Sequence, residues 1–174
     1  QYHPASTGVQ MSIETLKGIV SEQCPSVRCI KLESVPTPPK IRLLKPWIEK
    51  YHLDVTILTG LGALYGHFDL KAGSDGFMTG FAFPEILQAL VREKQNSRQA
   101  FGLYQQFLPL LVFEQQPGVG IRKEIYRLRG LMQDTHVRHP GNGIGSSSGD
   151  VLHQLEECID FVMGRSAFVD LTRK

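Results

Sequence analysis

Lys31 closes the short apolar run Val27-Arg28-Cys29-Ile30 and is followed by the turn Glu33-Ser34-Val35-Pro36. A lysine at the carboxyl end of a short buried strand reaches the mouth of an α/β sheet, where such folds keep their chemistry. Withdrawn from water, an amine is less favourable as its charged form, and the neutral form can attack a carbonyl. The same position also suits a solvated strand cap, because lysines at strand ends are often merely structural. The elements around Lys31 therefore decide how it reads.

Those elements alternate. Ser12 can cap a helix whose apolar positions Ile13, Leu16, Ile19 and Val20 recur at helical spacing, with Pro25 beyond its end. Val27 to Lys31 reads as a strand, and prolines 36, 38 and 39 turn the chain into a helix over 40–51, in which Pro46 marks a kink. A second β-rich run over 54–59 ends at Gly60, a helix is expected over 61–72, and a third strand over 76–79. Helical periodicity then runs over 84–94, 97–113, 119–131 and 151–164, with a glycine- and serine-rich loop over 140–149. Strand and helix in alternation are the order of parallel βαβ units with right-handed crossovers.

At 174 residues the chain can bury a real core. Its net charge of +2 comes from scattered basic residues that alternate with acids or apolar positions, which excludes the one-sided patch that nucleic acid requires. No apolar run approaches a membrane span, and the first residues carry no charged-then-apolar leader pattern. Cys24, Cys29 and Cys158 form an odd set without metal spacing, read as reduced thiols in a cytoplasmic protein. Cys29 shares the strand face of Lys31 and is expected as a small core residue. The six histidines are dispersed and offer no metal site.

Four stretches in order and at matching spacing carry a family likeness: Pro4-Ala5-Ser6-Thr7-Gly8, Cys29-Ile30-Lys31-Leu32-Glu33, Ile57-Leu58-Thr59-Gly60, and Gly73-Ser74-Asp75-Gly76-Phe77-Met78-Thr79-Gly80. A looser likeness continues to Arg138-His139-Pro140-Gly141. Through them the chain resembles the dihydrodipicolinate synthase and N-acetylneuraminate lyase family of class I, Schiff-base-forming aldolases. The resemblance implies an α/β fold, the C-terminal portion of a (β/α)₈ barrel with strands six to eight parallel, followed by a C-terminal helical bundle. It divides the chain into a partial barrel over 1–96 and a helical extension over 97–174. Such a barrel needs eight strands, so a sequence that opens at the tip of strand five looks like the C-terminal portion of a longer protein.

By the same resemblance, Lys31 is the imine-forming residue, and Gly60, Met78 and Thr79 line the substrate pocket. The implied partners are a pyruvate-like 2-oxo acid and an aldehyde, the reaction needs neither metal nor organic cofactor, and the enzyme is a homo-oligomer. Gly60 lets a substrate or the lysine approach the backbone, or is simply a turn glycine. Met78 and Thr79 also suit packing, and Glu33 suits either an orienting group or a cap. Two departures stand out. The family's proton-shuttling tyrosine belongs at the position of Gln1, whereas Tyr2 is one residue off and so on the opposite strand face. Ser6 stands where many synthases carry a carboxylate-binding arginine. Two readings follow: a 2-oxo-acid aldolase, lyase or dehydratase, and an inactive half-barrel that only self-associates.

Overall fold

Three short strands, each parallel to the next, organise the computed structural model, which describes residues 1–24, 26–116, 118–139, 141, 143–144 and 148–164. Pro25, the expected stop of the first helix, and Pro140 of the loose likeness lie outside the described residues. The chain divides into two units, Gln1–Thr79 with Leu87–Phe101, and Gly80–Ile86 with Gly102–Lys174.

The first unit opens with a single turn, α1 (Pro4–Thr7), and α2 (Ile13–Gly18), whose Ser12 side chain accepts from the Thr15 N–H as an N-cap should. A π-helical turn over Ile19–Gln23 extends it. Strand β1 (Cys29–Leu32) follows, then α3 (Thr37–Lys50), β2 (Thr56–Thr59), a 3₁₀ turn (Leu61–Ala63), α4 (Gly66–Ala72) and β3 (Gly76–Phe77). The register sets Lys31 beside Leu58 and Leu58 beside Gly76, so all three strands end on one side. Tyr2 bridges Leu32 in parallel on the other side of β1.

Alternation along each strand sends Ile30, Leu32 and Ile57 to one face, where they are buried with Leu16, Val20, Ile41, Leu44 and Ile48. The last three are spaced 3 and 4 apart in α3 and so form one helical stripe. Fully burying such a side chain is worth about 1.5–3 kcal/mol. This layer anchors the strands, and the opposite sheet face is left to carry polar groups.

Two expectations need correction. The helix expected over 61–72 begins only at Gly66, because Leu61, Gly62 and Ala63 all take left-handed φ, +50°, +64° and +63°. Cys29 is exposed rather than in the core, since its face of β1 is not covered by a second layer among the described residues. Helix ends elsewhere differ by a few residues, with α5 at Pro84–Arg92, α6 at Ser97–Phe113, α7 at Val119–Leu128 and α8 at Ser148–Met163. In the second unit, Phe81, Phe83, Leu110, Leu111, Ile121, Ile125 and Leu155 are buried.

Candidate functional site

Lys31 and Glu33 lie two residues apart at the carboxyl end of β1 and therefore on the same face, away from the core formed by Ile30 and Leu32. The Lys31 Nζ stands 3.3 Å from Glu33 Oε2. Gln1 Nε2 donates to that same oxygen at 2.6 Å, and the Leu61 N–H donates to Oε1 at 3.2 Å. A carboxylate taken out of water is costly unless donors replace the lost hydration. Glu33 is only 7% exposed and has three such donors. The Lys31 side chain is 20% exposed, which leaves its amine within reach of a small molecule.

Gly60 belongs to this cluster through its lack of a side chain. A Cβ there would fall 2.0 Å from Glu33 Oε1. What approaches the backbone at Gly60 is thus the carboxylate of Glu33. The left-handed turn that follows is expensive for residues other than glycine, about 1–2 kcal/mol each. Leu61 and Ala63 both bear that cost, and strain of this kind concentrates where a site demands it.

Tyr2 stands apart from the cluster. Its phenol donates to Met11 O at 3.0 Å and accepts from the Met11 N–H at 2.9 Å, with its ring in the core beside Leu16 and Leu32. Burial acts to raise the phenol, but the hydrogen bonds to Met11 and Ser34 and the charge of Lys40 outweigh it and hold Tyr2 below its ordinary value. Gln1 occupies the face that the sequence likeness reserves for a tyrosine. Of the remaining candidates, Met78 continues the ladder by donating its N–H to Thr59 O at 2.8 Å, and it is 48% exposed. Thr79 is half-buried and bonds to none of the cluster.

The Gly73-Ser74-Asp75-Gly76 stretch serves the amino ends of the strands. Gly73 has φ +110°, and a Cβ on it would meet Lys45 Cγ at 3.0 Å. Asp75 accepts from the Ile57 N–H at 2.9 Å and from Lys45 at 2.6 Å, tying β3, β2 and α3 together. Asp69 of α4 is buried, which raises its carboxyl, while the Thr37 hydroxyl 2.5 Å from Oδ1 opposes that rise. Burial and, secondarily, the charge of Lys71 depress His67. In the second unit, Glu114 is fully buried and burial pushes its carboxyl up to about 7, against the opposing hydrogen bond from the Ala82 N–H and the charge and hydrogen bond of Arg122.

Sequence reasoning marks Gln1 only as a departure from the family pattern and Glu33 as an orienting group or a cap, and it does not pair the two. The alternation Lys-x-Glu on a strand was the available signal, since it places both side chains on one face. Among the described residues no group of three or more His, Cys, Asp or Glu could hold a metal ion, and no helix is long and apolar enough to cross a membrane.

The lysine and the carboxylate stand at the carboxyl rim of a parallel sheet, the side on which such folds bind their ligands. No model of a protein family matches the chain. A dihydrodipicolinate synthase from Rhodopseudomonas palustris is similar at 30% identity and a TM-score of 0.79, over 88% of this chain and 52% of that one. A prophage protein of the dihydrodipicolinic acid synthase family from E. coli K12, solved in complex with pyruvate, shares the fold at 21% identity and a TM-score of 0.70, over 89% of this chain and 53% of that one. An L-2-keto-3-deoxyarabonate dehydratase from Azospirillum brasilense is 35% identical over 75 residues, 41% of this chain and 24% of that protein. The chain is similar to proteins of the dihydrodipicolinate synthase family and, over a shorter stretch, to a dehydratase. It spans about half the length of the solved relatives named here.

Proposed function

We propose that this chain carries the lysine-bearing part of a class I lyase that acts on pyruvate or a related 2-oxo acid through a Schiff base at Lys31. The observation that supports it most is the contact between Lys31 Nζ and Glu33 Oε2, 3.3 Å, at the carboxyl end of a strand in a parallel sheet. The pyruvate held by the prophage relative of the same fold supports the substrate class. In this reading the strands are the sixth to eighth of a (β/α)₈ barrel and the later helices a C-terminal bundle. The enzyme works in the cytoplasm as a homo-oligomer.

The chemistry follows from the pair. Attack on the 2-oxo carbon requires Lys31 as the neutral amine, so its ammonium proton passes to the Glu33 carboxylate. The carbinolamine then loses its hydroxyl as water, with the proton returned by Glu33, and the imine forms. As a protonated imine this carbon withdraws electrons from its neighbour, so a bond at the adjacent carbon can be made or broken. Glu33 takes the part that a tyrosine on the Gln1 position would otherwise play. Gln1 holds one carboxylate oxygen in place, and Gly60, Met78 and Thr79 border the substrate.

The dehydratase relative, 35% identical over its matched stretch, favours a second reading in which the imine promotes loss of a hydroxyl group rather than an aldehyde. Both readings share one test. Incubation with pyruvate and borohydride, followed by intact and peptide mass, is expected to place the reduced adduct on Lys31, and Lys31→Ala is expected to abolish it. An adduct on another lysine, or none in any longer protein that contains this chain, rules both out.

A further inference from the structure

The backbone at Gly60 is shaped around Glu33. A Cβ at position 60 would lie 2.0 Å from Glu33 Oε1, 2.5 Å from its Cδ and 2.8 Å from its Cγ. Three successive atoms of one side chain occupy that volume, so a small tip rotation would not clear it. Gly60 has φ −113° and ψ −124°, and the volume that a Cβ would need there is filled by Glu33. The next three residues, Leu61, Gly62 and Ala63, turn left-handed, and Ala63 N–H closes the turn on Gly60 O at 2.9 Å. That turn aims the Leu61 N–H at Glu33 Oε1, 3.2 Å away. The other oxygen is left to Gln1 and Lys31.

We infer that the turn Gly60–Ala63 is a backbone clamp that positions the Glu33 carboxylate against Lys31, with Gly60 and the Leu61 N–H as its working parts. This deepens the function proposed above and rests on it, since the clamp matters to catalysis only if Glu33 exchanges a proton with Lys31. The clamp separates two tasks on one carboxylate. Oε1 is fixed by the backbone of the neighbouring strand end, and Oε2 faces the amine. Gly60 is therefore a positioning residue whose effect travels through Glu33. A methyl group there would expel the carboxylate from the Leu61 N–H and carry Oε2 away from Nζ.

The test reads Lys31 without any substrate. An N-hydroxysuccinimidyl acetate acylates a lysine amine that is free to react, so the rate of labelling at Lys31 at one fixed pH, followed by peptide mass in the full 174-residue chain, reports whether the carboxylate still engages it. Glu33→Gln is expected to change that rate severalfold, Gly60→Ala to change it in the same direction to a similar extent, and Gly60→Ala/Glu33→Asp to return it towards the parent, because aspartate is one methylene shorter. A parent rate in Gly60→Ala, no change in Glu33→Gln, or no return in the double variant overturns the clamp. Should Gly60→Ala fail to fold, circular dichroism of Gly60→Ala/Glu33→Ala decides instead: recovered structure supports the steric account, and its absence overturns it. Pyruvate trapping in parallel keeps the two claims apart. A parent chain that never traps pyruvate at Lys31 removes the proposed function, while the labelling rates still judge the clamp.

Discussion

Gln1 and Tyr2 are neighbours in sequence with opposite fates. Gln1 Nε2 donates to Glu33 Oε2 at 2.6 Å, whereas the Tyr2 phenol is held by Met11 within the core. A phenol turned away from Lys31 has no route to its protons. Tyr2→Phe is therefore expected to leave pyruvate trapping at Lys31 within twofold of the parent, while lowering stability by about 1 kcal/mol through the lost bonds to Met11. Glu33→Gln should slow trapping at least tenfold, measured as the rate of adduct formation by intact mass. A strong loss in Tyr2→Phe with none in Glu33→Gln would transfer the proton relay to the tyrosine. Lys31→Arg should also abolish trapping, because a guanidinium stays protonated. The residue pattern made much of this legible. Lys31 stood out by ending an apolar run before a turn, and the one-residue offset of Tyr2 was enough to place it on the opposite strand face. The engagement of Glu33 was not legible, because its donors and the space it fills come from Gln1, Gly60 and Leu61, which are 27 or more positions away in the chain.

Buried acids tie elements together in both units. In the first, Asp69 of α4 accepts from Thr37 at the start of α3. In the second, Glu114 near the end of α6 accepts from the Ala82 N–H and pairs with Arg122 of α7 at 3.3 Å. Burial raises the Glu114 carboxyl from 4.5 to about 7. A carboxyl whose folded value lies above its unfolded one contributes stability that is fully present below the unfolded value and is lost as pH rises through the folded one. The window here is pH 4.5 to about 7. Across it, the stability of the parent relative to Glu114→Gln should fall by about 3 kcal/mol, since a tenfold difference in proton affinity between the folded and unfolded chain is worth about 1.4 kcal/mol. Urea unfolding at pH 4.5 and pH 8 measures this, and a difference between the two proteins that does not vary with pH would show that Glu114 is not protonated in the folded state. At this scale the three strands and the α3 stripe were readable from periodicity. The helix expected over 61–72 was not, because Leu61 and Ala63 favour a helix in isolation but take left-handed φ with Gly62 in the turn at the strand end.

The uncovered face is the feature of the molecule as a whole that most affects its behaviour in solution. In full parallel sheets both faces are covered, which is why their strands read as continuous apolar runs. Here one face of β1 and β2 is packed by α2 and α3, whereas Cys29 and Thr56 on the other face are exposed, Met78 just past the end of β3 is 48% exposed and Leu58 is half-buried; at Gly76 of β3 that second face meets Val91 of α5. β3 offers its backbone to no further strand among the described residues, and an open parallel edge pairs readily with another chain. The chain's net charge of +2 gives weak repulsion against such pairing. We therefore expect the 174-residue chain, studied by itself, to self-associate through this face, with a sedimentation coefficient that rises with protein concentration. Because Leu58 and Met78 supply the apolar part of the surface, Leu58→Lys/Met78→Lys should shift the association to higher concentration by at least tenfold while α2 and α3, packed on the far face, keep the fold. Cys29 gives an independent readout: as an exposed thiol on the associating face, it should crosslink between copies under a short bis-maleimide more readily than Cys24, which is exposed elsewhere. A chain that sediments as a monomer at every concentration, with Cys24 and Cys29 crosslinking equally, would show that the open face is tolerated in water and that association has no part in its stability.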